Sequence, residues 1–116
     1  MRFLSFYKSA EKNEPPTQEN MAKMGALIEE WTKAGVLLSS EGCKPSAQGF
    51  RVRRSGKQIT VTDGPFTESK EVIGGFALLQ AKTKEEMIEW IKKFLLAVDD
   101  GECEVRLLYE PSDFGG

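Results

Sequence analysis

Two stretches of the chain repeat apolar residues at spacings of three and four, a pattern that predicts amphipathic helices. The first stretch runs from Gln18 to Ala34, with Thr17 as the expected N-cap and Gly35 as the expected residue after its end. The second follows Thr83 and Glu86, which have the spacing of a capping box. The two apolar stripes comprise Met21, Met24, Leu27, Ile28 and Trp31 in the first helix and Met87, Ile88, Ile91, Phe94, Leu95 and Val98 in the second.

Four further stretches are typical of strands, because they are short, rich in apolar residues and bounded by turn residues. They cover residues 2–7, 36–38, 72–81 and 103–109. The third is an almost uninterrupted apolar run, which predicts a strand that is buried on both faces. It contains the pair Gly74-Gly75, which indicates a bulge or a close approach of another backbone.

A β-hairpin is predicted between the second and third of these strands. Phe50 and Val52 alternate with arginines, and Ile59 and Val61 alternate with polar residues. Ser55-Gly56 between the two runs is a turn signal. The hairpin would therefore have one apolar and one polar face.

The elements follow the order strand, helix, strand, inserted hairpin, strand, helix, strand within one α+β domain that spans residues 1–116. Without the hairpin, this is the βαββαβ order of a ferredoxin-like fold, in which two helices cover one face of an antiparallel sheet. The doubly apolar strand 72–81 then needs cover on its second face. A second copy of the chain would supply that cover and would form a dimeric α/β barrel, since two-fold dimers are the commonest oligomers. In the alternative arrangement, the inserted hairpin folds over the same face.

Charge and hydropathy narrow the classes of partner. The chain is 40% hydrophobic and 29% charged with a net charge of −2, so no overall basic field gathers nucleic acid or an acidic membrane surface. Its basic cluster, Arg51, Arg53, Arg54 and Lys57, lacks the interleaved aromatic residues of a nucleic-acid site. No stretch approaches the roughly 20 apolar residues of a membrane span, and no signal-peptide run opens the chain. We therefore expect a cytoplasmic protein.

The absence of histidine excludes the most familiar catalytic and metal-binding arrangements. It removes the usual general base near neutral pH, the commonest metal ligand and every Ser–His or Cys–His pair. Cys43 and Cys103 lie far apart and have neither metal-binding nor redox spacing. No phosphate-binding loop or dinucleotide fingerprint is present, so we expect no metal and no cofactor.

The segment Asp63–Lys70 is the densest concentration of functional residue types in the chain. Gly64 permits close backbone approach and Pro65 fixes its own φ, so together they make a rigid connection that sets the directions of Asp63 and Phe66. A rigid loop that holds carboxylates and a lysine beside an aromatic ring suits a small-molecule pocket. In the alternative interpretation, Asp63 hydrogen-bonds the amides of its own turn.

The candidate site residues fall into two groups. Asp63 and Glu68 are the candidate catalytic groups, because burial beside an aromatic ring would raise a carboxyl pKa towards neutrality. The ligand-binding candidates are Tyr7, Glu41, Arg51, Arg53, Pro65, Phe66 and Lys70. The two arginines lie two positions apart on one hairpin face, where they would hold a ligand carboxylate or, alternatively, only face solvent.

The segment Asp63–Lys70, followed by Glu71-Val72 and Gly74-Gly75-Phe76, resembles the signature of the YCII-related, DGPF-containing family of small bacterial proteins. The likeness continues at Glu89-Trp90 and Glu104-Val105-Arg106, and upstream at 34–37 and 41–42, so it covers nearly the whole chain. The resemblance implies a dimeric α/β barrel of ferredoxin-like subunits. Some members of the family are proposed enzymes with a His–Asp pair in a cleft between helix and sheet, and a chain without histidine has no such pair.

We therefore predict a small-molecule-binding or regulatory module that forms a homodimer and holds a small polar or acidic ligand near Asp63–Phe66, the DGPF loop. Two alternatives stay open. One is a cofactor-independent lyase or isomerase with Asp63 or Glu68 as general base, and the other is a dimeric scaffold without catalysis. We expect contact with neither nucleic acid nor membranes.

Overall fold

Six strands and two α-helices make up the part of the chain described by the computed structural model, residues 1–12 and 14–115. The strands are β1 (Arg2–Ser9), β2 (Leu37–Gly42), β3 (Phe50–Ser55), β4 (Gln58–Asp63), β5 (Val72–Gln80) and β6 (Glu102–Leu107). The helices are α1 (Gln18–Lys33) and α2 (Lys84–Ala97), and short 3-10 helices occupy Ser46–Gln48 and Pro111–Phe114. The protein is a mixed α+β structure with two helices and antiparallel sheets, as the sequence patterns predict.

Both helices begin where the sequence predicts, because threonine side chains cap them. The Oγ1 atom of Thr17 accepts a hydrogen bond from the backbone N–H of Asn20 at 3.1 Å. In the same way, Oγ1 of Thr83 accepts from the N–H of Glu86 at 3.1 Å. Gly35 follows α1 with φ of 75°, the left-handed conformation that glycine allows at a helix end.

Strand β2 is longer than the sequence predicts. It runs to Gly42, so Glu41 and Gly42, which lie beyond the predicted strand 36–38, belong to the strand. The extension has a tertiary cause, since Glu41 pairs with Phe76 and Gly42 pairs with Gly75 of β5. Backbone hydrogen bonds to a neighbouring strand form whatever the polarity of the side chains. A strand end made of polar residues therefore has no apolar pattern that would predict it.

The main sheet has the strand order β2-β5-β1-β6, and every neighbouring pair is antiparallel. Directly opposed residues point to the same side of such a sheet, so the register decides which side chains share a face. Phe3 opposes Leu79, and both belong to the core beneath the helices. The opposite side, which we call the open face, carries Leu4, Phe6, Phe76 and Leu78.

The core lies between the two helices and the sheet. Its largest fully buried side chains are Leu79 of β5 and Met87 of α2, which cluster with Phe3, Trp31 and Ile91. Full burial of a side chain of this size contributes about 2 kcal/mol to stability. These contacts fix α2 and the end of α1 against β1 and β5.

Strand β5 is covered by its own chain on one side only. Leu79 on the helix side is 0% exposed, whereas Phe76 and Ile73 are 38% and 49% exposed. The prediction of a strand buried on both faces is therefore met only on the helix side within a single chain. The open face of the isolated chain leaves apolar surface in water.

Strands β3 and β4 form a separate two-stranded sheet, which we call the arm (residues 50–63). Every residue of both strands is exposed, including Phe50 at 66% and Val61 at 65%. The alternative arrangement, in which the hairpin folds over the open face, is therefore wrong. The arm projects instead, and the radius of gyration is 16.4 Å, against about 13 Å for a compact domain of this length.

Candidate functional site

A cleft of about 470 Å³ lies between the helices and the main sheet. Strands β1, β2 and β5 line it on one side and α1 on the other, with the C-terminal half of α2 also contributing. The lining is mostly apolar, and its polar members are Ser5, Tyr7, Ser40 and Glu41. The volume falls within the roughly 300–1,000 Å³ that is usual for small-molecule sites.

The cleft exists because the strand residues that line it are small. They include Ser5, Ser40, Gly74, Gly75 and Ala77. Larger side chains at these positions would fill the space beneath α1, as Leu79 and Phe3 fill the core nearby. The sequence therefore leaves this part of the sheet unfilled.

Helix α1 closes the cleft only in part. Of its predicted apolar stripe, Trp31 is 5% exposed, whereas Ile28 is 40% and Met21 is 55% exposed. The stripe packs at its C-terminal end and opens towards its N-terminal end. Partly exposed apolar side chains that border a cleft are a surface that a ligand can bury.

The paired glycines shape the side of the cleft formed by β5. A Cβ atom on Gly75 would lie 2.8 Å from the carbonyl oxygen of Glu41, closer than a side chain tolerates. The pairing of β1 with β5 is irregular between Tyr7 and Lys8. Tyr7 pairs with Gly75 and Lys8 pairs with Ile73, so Gly74 has no partner residue in β1. The prediction of a bulge or a close backbone approach at this glycine pair is therefore confirmed.

Tyr7 is held rigidly at one end of the cleft. Its ring packs edge-on against Phe94, with centroids 5.3 Å apart, and its hydroxyl donates a hydrogen bond to the carbonyl oxygen of Asp99 at 2.8 Å. A Cβ atom on Gly101 would lie 2.7 Å from the Tyr7 ring, so the small residue there makes room for it. Burial raises the pKa of Tyr7 and keeps the hydroxyl neutral.

Trp31 is the largest apolar group in the wall of the cleft. Its ring meets Trp90 edge-on, with centroids 5.7 Å apart, and lies 6.5 Å from the ring of Phe94. Its indole N–H is buried and has no hydrogen-bond partner within residues 1–12 and 14–115. Ring packing alone therefore fixes Trp31.

The DGPF loop is tied to the 3-10 helix at Ser46. The backbone N–H of Phe66 donates to Oγ of Ser46 at 3.0 Å, and that of Gly64 donates to the carbonyl oxygen of Gly49 at 2.9 Å. Ser46 in turn donates its N–H and its hydroxyl to the carboxylate of Glu11. Both bonds lower the pKa of Glu11, and the bond from the Ser46 hydroxyl has the larger effect.

Gly64 is required at this junction for steric reasons. A Cβ atom there would lie 1.8 Å from the carbonyl oxygen of Ser46 and 2.6 Å from its carbonyl carbon. Both obstructing atoms are backbone, so no side-chain rotation relieves the overlap. The Gly64-Pro65 peptide bond is cis.

Arg51 joins the base of the arm to the segment after the DGPF loop. Its guanidinium lies over the ring of Phe66, 3.8 Å from the centroid, and it donates to Glu68 and to Ser69 Oγ. The Glu68 side chain is nevertheless 66% exposed. A hydrogen bond from its own backbone N–H, followed by the Arg51 contact, lowers the pKa of Glu68. The expected rise of a carboxyl pKa by burial is thus not found at Glu68.

The structure divides the candidate residues between two places. Tyr7 and Glu41 line the cleft. The others lie on the arm, in the DGPF loop and in the segment that follows it: Arg51, Arg53, Asp63, Pro65, Phe66, Glu68 and Lys70. The DGPF loop contacts the chain that follows β2 through Ser46, and β2 itself borders the cleft.

Glu11 and Ser46 carry no sequence signal that predicts their contact, and the small residues of the cleft carry none either. Glu11 is 35 residues from the serine that it binds, so no local pattern signals the pair. Ser5 and Ala77 lie opposite each other in the β1–β5 register, and this pairing of residues distant in the chain exists only in the tertiary structure. The apolar stripe predicts that Trp31 packs against the sheet, and the packing of α1 places it both in the core and beside the cleft.

A family model for the YCII-related domain matches residues 1–110. The chain belongs to the YCII-related family. The resemblance inferred from the DGPF segment is therefore confirmed. The chain is also similar to an uncharacterised protein of Rhizobium meliloti (strain 1021), with 29% identity over 96 residues, which are 80% of this chain and 77% of that protein.

Two further features of this YCII-related chain bear on its chemistry. Within the described ranges 1–12 and 14–115, no group of three or more Cys, Asp or Glu residues has the arrangement of a metal site. None of the described helices is long and apolar enough to cross a membrane.

Proposed function

We propose that this YCII-related protein is a small-molecule-binding module that holds its ligand in the cleft between the helices and the sheet. The observation that carries the proposal is the apolar volume of about 470 Å³ beside an α1 stripe that the core only partly uses. An unfilled cleft of this size lowers the stability of the folded protein, because the apolar side chains that line it stay in contact with water. A bound ligand would remove that cost.

The lining indicates the chemistry of the ligand. Its body would be apolar, to match Met24, Leu27 and Trp31, and its polar end would meet the few polar groups near Tyr7 and Ser40. Glu41 is the one charged residue that borders the cleft within the described ranges, and its register partner Phe76 places its carboxylate on the open face. A neutral ligand therefore suits the cleft better than the small acid that is expected near the DGPF loop.

Binding at the DGPF loop itself has less support. Arg51 already engages Phe66, Glu68 and Ser69, so its donors are committed within the chain. The loop supports the cleft indirectly, because it anchors the segment that leads out of β2. The roles of Asp63 and Glu68 as acid–base groups stay a prediction, and Glu68 lacks the burial that would raise its pKa for that role, since it is exposed and paired with Arg51.

We further propose that the subunit is ferredoxin-like and works as a homodimer. The strand order β2-β5-β1-β6, with α1 and α2 on one side, supports the ferredoxin-like assignment. The partly exposed open face supports the dimer, because a second sheet packed against it would bury Phe76 and Ile73.

Binding of the neutral fluorophore N-phenyl-1-naphthylamine tests the cleft. We expect the wild-type protein to bind it, and we expect Ala77→Phe to weaken binding at least about tenfold by filling the cleft. Ser40→Phe fills the same space from edge strand β2 and serves as the second variant. Ala26→Phe, on the exposed surface of α1 and outside the lining, is the matched control and should bind as wild type does.

Circular dichroism first establishes that each variant folds. Unchanged affinity in both filling variants would contradict a ligand site in the cleft. If the cleft variants alone lose the fluorophore, native mass spectrometry of protein purified without added ligand becomes the way to identify the natural occupant.

A further inference from the structure

The arm carries a continuous apolar surface that its own chain leaves exposed. Val52 opposes Val61 in the register, and Phe50 and Ile59 lie on the same side of the hairpin, opposite Asp63 at its base and Arg54 near its tip. The four apolar side chains are 59–66% exposed. Each presents on the order of 100 Å² to solvent, so the arm offers about 400 Å² of apolar surface, as much as the largest patches on typical monomers.

The arm also differs in charge from the rest of the molecule. Residues 50–63 contain four basic residues and one acidic residue, a net charge of +3, so the remainder of the chain carries −5 of the total of −2. Arg53, Arg54 and Lys57 have no carboxylate within salt-bridge distance among the described residues. Three cations near the arm tip are thus uncompensated within the chain.

The open face offers the complementary surface. Its exposed apolar side chains, Leu38, Ile73 and Phe76, add about 300 Å² at a similar estimate per residue. Glu41 pairs with Phe76 at one margin, Glu102 pairs with Lys8 at the other, and neither glutamate has a salt-bridge partner among the described residues. Lys8 and Arg106 lie on the same face by the register, with Lys8 opposite Glu102. The match to the arm therefore rests on the apolar surface, and Glu41 is the carboxylate at its margin without a cation opposite it.

We propose that the arm is a clasp for a second copy of this chain. The apolar side of each arm packs against the margin of the partner's open face, and the basic tip lies near the partner's carboxylates. Reciprocal exchange of two identical arms closes under two-fold symmetry, so it produces a dimer rather than a chain of molecules. The inference rests on the proposed homodimer and adds the element that holds it together.

The size of the surfaces favours a second copy over a different partner. The arm and the open face together expose about 700 Å² of apolar surface, near the roughly 800 Å² that each partner buries in a standard interface. Neither surface reaches that area alone, and the two do not cover each other within one chain. Both are present on every copy and in the same stoichiometry.

Sedimentation analysis of matched variants tests the clasp. We expect Val61→Lys, on the apolar side of the arm, to raise the dimer Kd at least about 30-fold, the effect that marks a dominant interface residue. Thr62→Lys introduces the same charge one position away on the opposite side of β4 and should change the Kd less than about threefold. Phe76→Lys tests sheet pairing separately.

Photo-crosslinking tests the same contact without a charged substitution that could destabilise the protein. The change Val52→p-benzoylphenylalanine keeps an apolar side chain on the arm, and mixing labelled with unlabelled protein distinguishes links between copies from links within one. We expect links between copies that map to the partner's β1, β2, β5 or β6. Links confined to one chain, or to the partner's arm, would overturn the clasp.

The remaining outcomes separate this inference from the proposed function. If Phe76→Lys dissociates the dimer while Val61→Lys does not, the sheet pairing stands and the clasp is wrong. A wild-type protein that stays monomeric at all concentrations overturns both the clasp and the dimer. Fluorophore binding in the cleft is measured independently, so it can succeed or fail in either case.

Discussion

The substitution Gly64→Ala adds one methyl group where the backbone of the 3-10 helix lies closest to the DGPF loop. The new Cβ atom would lie 1.8 Å from the carbonyl oxygen of Ser46, whereas real Cβ contacts stay beyond 3.0 Å. The loop must therefore move by more than about 1 Å, because the obstruction is backbone on both sides. We expect the loop to detach from Ser46 rather than to adjust.

The cost follows from the bonds that this movement breaks. The N–H of Gly64 loses the carbonyl oxygen of Gly49 at 2.9 Å, and the N–H of Phe66 loses Oγ of Ser46 at 3.0 Å. Each bond contributes about 1 kcal/mol net, and the lost packing adds to them, so docking of the loop weakens by about 2–3 kcal/mol. The main sheet does not rest on this loop, so the loss is local and does not exceed the docking free energy.

Native-state hydrogen exchange measures that local loss directly. At 1.4 kcal/mol for each factor of ten, the amides of Gly64 and Phe66 should exchange about 30- to 150-fold faster in the variant, with core amides of β1 and β5 little changed. Gly25→Ala is the matched control, because no atom lies within 4 Å of its added Cβ and the site is a helix interior. It should stabilise the protein by up to about 1 kcal/mol. Exchange at both loop amides within threefold of wild type would refute the steric argument.

Two further predictions concern titratable groups. Tyr7→Phe removes the hydroxyl that donates to Asp99 and should lower the free energy of unfolding by about 1 kcal/mol in urea titrations. Because burial raises the Tyr7 pKa above its usual 10.0, the folded state favours the neutral hydroxyl, so its contribution holds below pH 10 and is lost as pH rises. In Tyr109→Phe, which leaves one tyrosine, tyrosinate absorbance at 295 nm should show a midpoint above 10, and a midpoint at or below 10 would contradict this. The pKa of Glu11 is lowered instead, so protection of the Ser46 amide should hold above the usual carboxyl value of 4.5 and decline as pH falls below it. Glu11→Gln should remove that pH dependence, and an unchanged profile would argue against the contact.

The elements of this protein were largely predictable because short-range interactions determine them. A threonine that caps a helix acts within three residues, as Thr17 and Thr83 do. The alternation in the hairpin predicts its two sides, and the register of β3 with β4 places Phe50, Val52, Ile59 and Val61 on one side as predicted, together with Arg54 and Asp63. The resemblance based on the segment around Gly64 agrees with the family model that matches residues 1–110.

The candidate site was predictable only in fragments. Tyr7 and Glu41 were named from the sequence, yet the cleft that joins them depends on small residues from three strands. Glu11 could not be anticipated, because its partner Ser46 is 35 residues away and an isolated glutamate in a polar loop has no distinguishing pattern. Both carboxyl groups predicted as a possible base, Asp63 and Glu68, are exposed, and Glu68 is paired with Arg51.

The sequence by itself determined the helices and their caps, the hairpin with its two faces, and the family. Only the tertiary structure decided that β2 extends to Gly42, that the arm projects and that an apolar cleft opens beneath α1. The physical reason is the range of the interactions. Caps and periodic stripes are satisfied within a few residues, whereas a cavity is the space left between side chains that the strand register brings together from distant parts of the chain.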